Sequence, residues 1–187
     1  CDETGKYIDI NVTDWTITAT ARNNIGLNEV ELTMDVEHIE STNGNVDLQA
    51  LLAILDAVDD AASEIADIVA GSIILTSRFD TVGAIADDIE INTGSMEGNN
   101  LTISSANNSH VVETEGDLYL KQVATGLAAV AFIASPTGRI LNDNVGGDNV
   151  VSGKTYLFAA QDIGTASKAL TTRVGNIQGQ STTGSTY

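Results

Sequence analysis

The stretch Leu157-Phe158-Ala159-Ala160-Gln161-Asp162-Ile163-Gly164 sets the reading of the whole chain. It is a short strand, a small and polar corner, and an apolar residue followed by glycine. The same order recurs at Leu75-Thr76-Ser77-Arg78-Phe79-Asp80-Thr81-Val82-Gly83 and at Thr18-Ala19-Thr20-Ala21-Arg22-Asn23-Asn24-Ile25-Gly26. Each copy leads into another short alternating run, at Ala169 to Val174, Ile89 to Ile91 and Val30 to Met34. A second unit, glycine followed by polar residues and an apolar strand, recurs at Gly44-Asn45-Val46-Asp47-Leu48, Gly116-Asp117-Leu118-Tyr119-Leu120 and Gly153-Lys154-Thr155-Tyr156-Leu157. Self-similarity of this kind marks a solenoid, in which each unit buries its apolar face against the next. The intervals between copies are uneven, so the expected rungs are degenerate and joined by loops of variable length.

Outward from these units the same texture continues. Tyr7-Ile8-Asp9-Ile10-Asn11, Leu101-Thr102-Ile103 and Val130-Ala131-Phe132-Ile133 alternate with period two, which sends one set of side chains inward and the other outward. Asn23-Asn24, Asn43-Gly44, Gly98-Asn99-Asn100, Asn107-Asn108 and Gly146-Gly147 punctuate the runs with residues that tolerate tight corners. Val, Ile and Thr supply 54 of the 187 residues, and proline occurs once. Proline cannot donate to a ladder, so its near absence suits a molecule in which almost every strand is internal. Hydrophobic residues at 42% exclude a disordered acidic chain and require a core. A net charge of −18 argues against nucleic acid and anionic lipid as partners. The single cysteine cannot close an internal disulfide, and no apolar run reaches transmembrane length.

One segment departs from the pattern. Val46 to Ala70, VDLQALLAILDAVDDAASEIADIVA, is rich in Ala and Leu and lacks Gly and Pro. Leu51, Leu52, Leu55, Val58, Ala62, Ile65 and Val69 recur at three- and four-residue steps, which predicts an inserted amphipathic α-helix at about 47–70. Asp47 caps its start and Gly71 its end, while Asp56, Asp59, Asp60, Glu64 and Asp67 form its solvated acidic face. Setting this helix aside leaves about seven coils of roughly 22 residues, a rod of roughly 35 Å.

From Gly116 to Ile177 the order is Gly-Asp-Leu-Tyr-Leu, Ala-Phe-Ile-Ala-Ser, Gly-Arg-Ile-Leu-Asn-Asp, then Thr-Tyr-Leu-Phe-Ala-Ala-Gln-Asp-Ile-Gly, followed by Thr165 to Val174. This resembles the repeat region of filamentous-haemagglutinin-like bacterial exoproteins of the two-partner-secretion type, very large surface or secreted adhesins. In those repeats a rung ends in an Ile-Gly step, runs through a small polar loop to a Leu, and restarts. The resemblance covers about 60 residues closely and Trp15 to Ile91 more loosely, and every element in it is structural. It implies an all-β, right-handed parallel β-helix, exported and acting as a stalk or adhesive fibre. No secretion domain is recognisable, and the chain is a small fraction of the length of such exoproteins.

A rival architecture is a β-sandwich filament subunit completed by a neighbour's strand. The termini bear on it: Cys1 to Lys6 is a short polar leader, and 178–187, QGQSTTGSTY, is a polar tail able to cross to another subunit. Under either architecture residues 1–187 form one β-rich domain. Assembly or anchoring then rests on Cys1, Thr4, Gly5, Ser181, Thr182 and Tyr187. Cys1 also suits a lipid anchor or an intermolecular disulfide.

Chemistry is sparse. The acidic groups suit calcium, which takes carboxylate and carbonyl oxygens, and the candidates are Asp87 and Asp88 beside Glu90, and Asp143 and Asp148 near Asn142 and Asn144. Asp59-Asp60 is a further acidic pair. None of these matches an EF-hand or the calcium-binding nonapeptide. His38 and His110 stand without a surrounding motif, and no nucleophile elbow, zinc signature, phosphate loop or dinucleotide fingerprint occurs. Adjacent Asp87 and Asp88 point to opposite faces of a strand, which argues against a paired-carboxylate glycosidase. The expectation is a non-enzymatic structural protein without a cofactor, a segment of an extracellular filament or adhesin stalk. Its partners would be copies of itself or adjoining repeats, and a glycan- or calcium-binding flank is the alternative.

Overall fold

The computed structural model describes residues 6–11, 15–58 and 65–187. Within them all the secondary structure is β, in one continuous sheet of sixteen strands wound into a solenoid of about eight turns. The first two coils carry β1 (Ile8–Ile10), β2 (Ile17–Ala21), β3 (Ile25–Glu29) and β4 (Met34–Ser41). β5 (Val46–Ala50), β6 (Ile54–Asp56) and β7 (Ile68–Val69) form the third, and β8 (Ile73–Ser77) and β9 (Ile89–Asn92) the fourth. The fifth holds β10 (Leu101–Ser105) and β11 (Ser109–Glu113), the sixth β12 (Leu118–Ala124) and β13 (Val130–Ser135). β14 (Ile140–Asn142) leads into the long β15 (Val150–Ala159), and β16 (Thr172–Ser181) makes the last.

Every strand pair is parallel, so the rungs stack flat with identical side-chain directions. On the first flank one inward position runs through all eight coils as Ile8, Leu27, Leu48, Leu75, Ile103, Val123, Val150 and Thr172. On the second flank Ile89, Val111, Ile133 and Leu157 stack in the same way, as do Ile39, Ile68 and Ile91. A third, shorter side is made by Leu118, Ile140 and Ile163. Most of these side chains are fully buried, and each such Leu or Ile contributes roughly 1.5–3 kcal/mol. The gain exists only when a neighbouring coil is present, so the stack and not the single rung is the stable unit.

Corners are held by side chains that bond from coil to coil. The hydroxyls of Ser41, Ser77, Ser135 and Ser181 donate to the carbonyls of Asn23, Leu52, Gly116 and Gln161 in the preceding coil. Asn24 Oδ1 accepts the Asn45 N–H at 2.9 Å, and Asn45 Oδ1 accepts that of Ser72 at 3.0 Å. Asp117 and Asp162 play the same part for Arg139 and Ser185. The recurrent Asn and Asp therefore satisfy corner amides, and the Ser hydroxyls corner carbonyls, that the strand ladder leaves over.

Two expectations are corrected. Residues 46–70 do not form a helix: β5, β6 and β7 occupy the described part, with 59–64 outside it. The segment carries two periods at once, and Val46, Leu48 and Ala50 also alternate. β3 and β8 offer finished ladders on either side of β5, so non-local pairing overrides local helix propensity. The residues set aside as helix supply a coil of their own, which is why there are eight turns and not seven. The sandwich is excluded by the wholly parallel pairing, since sandwiches are built from antiparallel sheets. No helix among the described residues is long and apolar enough to cross a membrane.

The aligned units fare unequally. Val82-Gly83 and Ile163-Gly164 are equivalent: each bridges the coil on either side through one residue, turns at a glycine with φ of +68° or +71°, and enters a tight loop. In those loops Ala84 exchanges backbone hydrogen bonds with Asp87, and Thr165 with Lys168. Ile25-Gly26 lies inside β3 and makes no such turn.

Candidate functional site

The second flank carries an outward row of rings. Because β11, β13, β15 and β16 are parallel and in register, His110, Phe132, Tyr156 and Gln178 lie on successive coils at one lateral position. Aromatic and long side chains suit such half-covered strand positions. The His110 and Phe132 rings stack with centroids 5.7 Å apart and planes 20° from parallel. Lys154 Nζ lies 4.6 Å from the centroid of the Tyr156 ring. The Gly83 loop closes one end of the row. It sets Asp88 Oδ1 3.4 Å from His110 Nδ1 and projects Ile85, 80% exposed, beside it. Ile85, Asp88, His110, Val130, Phe132 and Tyr156 line an open recess of about 480 Å³. It continues past Tyr156 toward Phe158, Gln178 and Gln180. Flat apolar faces rimmed by a carboxylate, an ammonium group and carboxamides can hold an amphipathic ring, with its C–H face on the aromatics and its hydroxyls on the rim.

A second feature lies between the third and fourth coils. Asp56, Asp67 and Glu90 each bring a carboxylate oxygen within 4.8 Å of the others, and among the described residues no other group of three acidic, His or Cys side chains converges so closely. Asp56 and Asp67 are buried. Asp56 Oδ1 accepts the Val58 N–H and Asp67 Oδ2 the Glu90 N–H, both at 2.9 Å. Burial, reinforced by the charges of Asp56 and Glu90, pushes the Asp67 carboxyl up to about 9. Glu113 is likewise buried and pushed up to about 8, chiefly by desolvation, although the Thr93 amide and hydroxyl donate to its two oxygens at 2.9 and 2.8 Å.

The residues singled out from sequence are scattered. Asp87 closes the tight loop through its backbone, and Asp88 joins the recess. Asp143 accepts from Asn100 Nδ2 at 2.9 Å, and Asp148 pairs with Arg173 Nε at 3.2 Å. Ser181, Thr182 and Tyr187 belong to the last coil, where the Thr182 and Tyr187 amides donate to the carbonyls of Ala159 and Ile163. Cys1, Thr4, Gly5, Asp59, Asp60 and Glu64 lie outside the described residues. Sequence reading passed over Phe132 and Tyr156 and left His110 without a role. Aligning the coils by their inward residues is the signal that would have brought the three together. Asp56 and Asp67 were read as the solvated face of a helix, and the structure buries both.

No family model, curated protein or solved structure matches the chain. The likeness to filamentous-haemagglutinin-like repeats therefore rests on this chain's own residues.

Proposed function

We propose that the chain is an exported structural module, a right-handed β-solenoid that lengthens end to end as part of an extracellular filament or adhesin stalk. The observation that carries this reading is β16. It pairs with β15 along nearly its whole length, and its inward ladder positions include Ile177, which is 49% exposed because no described strand lies beyond it. A ten-residue strand with exposed inward side chains is a template for another parallel rung, supplied by an adjoining repeat or by a second copy. At the opposite end β1 and β2 also have one neighbour each among the described residues, and Ile8 is 58% exposed. Head-to-tail contact between two such unlike ends is heterologous and propagates as an open fibre. The charge of −18 opposes side-by-side association, which leaves the ends as the favoured contact. Right-handed winding follows the general preference of parallel crossovers.

Sedimentation and electron microscopy of the purified chain across concentration and salt test this. Linear polymers that grow with concentration, lengthen as salt screens the charge, and shorten about tenfold in Ile177→Lys are expected, a loss equivalent to about 1.4 kcal/mol per contact. A monomer at every concentration would sink the reading.

The aromatic row favours a second role, adhesion of the flank to a surface glycan. Calorimetry against a panel of oligosaccharides checks it: saturable heat that falls about tenfold or more in Tyr156→Ala is the expected result. Absence of heat across the panel leaves the module purely structural.

A further inference from the structure

We propose that Asp56, Asp67 and Glu90 hold a calcium ion that ties the end of β6 and the start of β7 to the next coil. The site is built by backbone register and not by chance surface crowding. Asp56 is the last residue of β6 and takes the inward ladder position that Val36, fully buried, takes one coil earlier. Asp67 is the residue just before β7, where the chain rejoins the stack. The two carboxylates thus stand at the end of β6 and immediately before β7. Glu90 comes from β9, whose backbone is parallel to β7, and its N–H fixes Asp67 through Oδ2.

The independent observation is at Asp56. The residue is 7% exposed, its Oδ1 is engaged by the Val58 amide, and its Oδ2 is buried with no hydrogen-bond partner. A buried carboxylate oxygen without a donor costs on the order of 1–3 kcal/mol or more. At the Asp56 ladder position that cost is offset once the free oxygen gains a partner. The ion pairs Lys6–Asp47, Arg139–Asp117 and Arg173–Asp148 lie elsewhere. His38 is turned to the Ala66 carbonyl through Nδ1 and toward Glu40 through Nε2. A bound cation would satisfy the three converging acidic groups together and give the buried Asp56 Oδ2 a partner. The donors are all oxygen, which suits a hard cation and excludes a thiolate- or imidazole-built zinc centre. Calcium fits better than magnesium, because it accepts irregular carboxylate and carbonyl cages, whereas magnesium demands near-octahedral geometry and retains its water.

The test uses the full chain, stripped with chelator and titrated calorimetrically with calcium chloride, followed by hydrogen exchange with and without the ion. One saturable site per chain is expected, with slowed exchange in peptides spanning 56–58 and 88–92. A thermal midpoint higher by about 5 °C at saturation should accompany it. Asp56→Asn should weaken calcium more than about tenfold, while Asp143→Asn leaves it unchanged. Magnesium at equal concentration should reproduce little of the shift. No saturable heat up to about 10 mM calcium overturns the proposal, as does protection centred on 142–148 instead. Equal affinity in Asp56→Asn overturns it too. If Asp56→Asn does not fold, the wild-type titration and exchange map decide alone, since both read the site without a substitution.

Discussion

The loops after Gly83 and Gly164 are the same object in two settings. Both glycines follow a single residue bridged to the coil on either side, both have φ near +70°, and both open a four-residue turn closed by mutual backbone hydrogen bonds. Their surroundings differ. A Cβ built on Gly83 would lie 2.1 Å from the His110 carbonyl oxygen, because the next coil passes directly over it. At Gly164 the nearest atom is the Tyr187 carbonyl oxygen at 3.0 Å, at the end of the stack. The first loop stands among buried carboxylates and rims the aromatic recess; the second faces the outermost rung. Local backbone geometry is set by the glycine, whereas its stringency and its chemistry are set by the coil stacked on it.

Gly83→Ala is the strongest way to probe that difference. A left-handed backbone costs alanine roughly 1–2 kcal/mol, and the collision with a main-chain oxygen adds a displacement of the neighbouring coil. A loss above about 4 kcal/mol is expected in denaturant unfolding, or failure to fold at all. Stability within about 1 kcal/mol of wild type would mean that the coils at this point are not stacked as described.

The buried acids sharpen the comparison through pH. Glu113, pushed up to about 8 in the folded chain, binds a proton there that the unfolded chain has released above its ordinary value of 4.5. Its contribution to stability is therefore fully present below about pH 4.5 and lost as the pH rises through 8, at up to about 1.4 kcal/mol per unit. Glu115 is the neighbouring charge that adds to this penalty. Raising the pH from 5 to 8 should lower the unfolding free energy by a few kcal/mol. Hydrogen exchange should accelerate in 89–93 and 109–113 while 140–142 and 163–164 stay protected. Glu113→Gln, neutral at both pH values, should reduce the slope by the share of Glu113 and leave that of Asp67. An unchanged slope in that variant would assign the pH dependence to other groups.

These contrasts also explain what could be read from the amino acids alone. Strand alternation, the corner Asn, Asp and Ser, and the two apolar-Gly steps are local patterns, and the solenoid followed from them. The misread segment at 46–70 shows the limit, because Leu51, Leu55 and Val58 satisfy a helical period while Val46, Leu48 and Ala50 satisfy the strand one. The choice was made by β3 and β8, which are distant in sequence. The same limit hid the site residues. Asp56 and Asp67 stand 11 positions apart, and Glu90 is a further 23 away; only the coil lengths bring them together. His110, Phe132 and Tyr156 form a row for the same reason. Register between coils is a tertiary property, and loops of uneven length conceal it from any fixed-period search.

Gly164→Ala should cost only about 1–2 kcal/mol, since the backbone strain remains but the Tyr187 end can give way. Thermal unfolding of this variant beside Gly83→Ala measures the difference directly. Equal losses would show that the turn alone, and not the overlying coil, sets the cost.

The smallest expected effect separates structure from recognition at the loop tips. Ile85 is 80% exposed and lines the recess, while Lys168 is the exposed counterpart region of the second loop. Ile85→Ser removes apolar surface that water already reaches, so the unfolding free energy should stay within about 0.5 kcal/mol of wild type, as it should for Lys168→Ser. If the recess binds a sugar ring, Ile85→Ser should weaken an oligosaccharide identified by calorimetry several-fold, and Lys168→Ser should not. A stability loss in Ile85→Ser as large as that of Gly164→Ala would mean that Ile85 packs against the coil it overhangs. The first loop would then differ from the second in its packing and not in what it presents to a ligand.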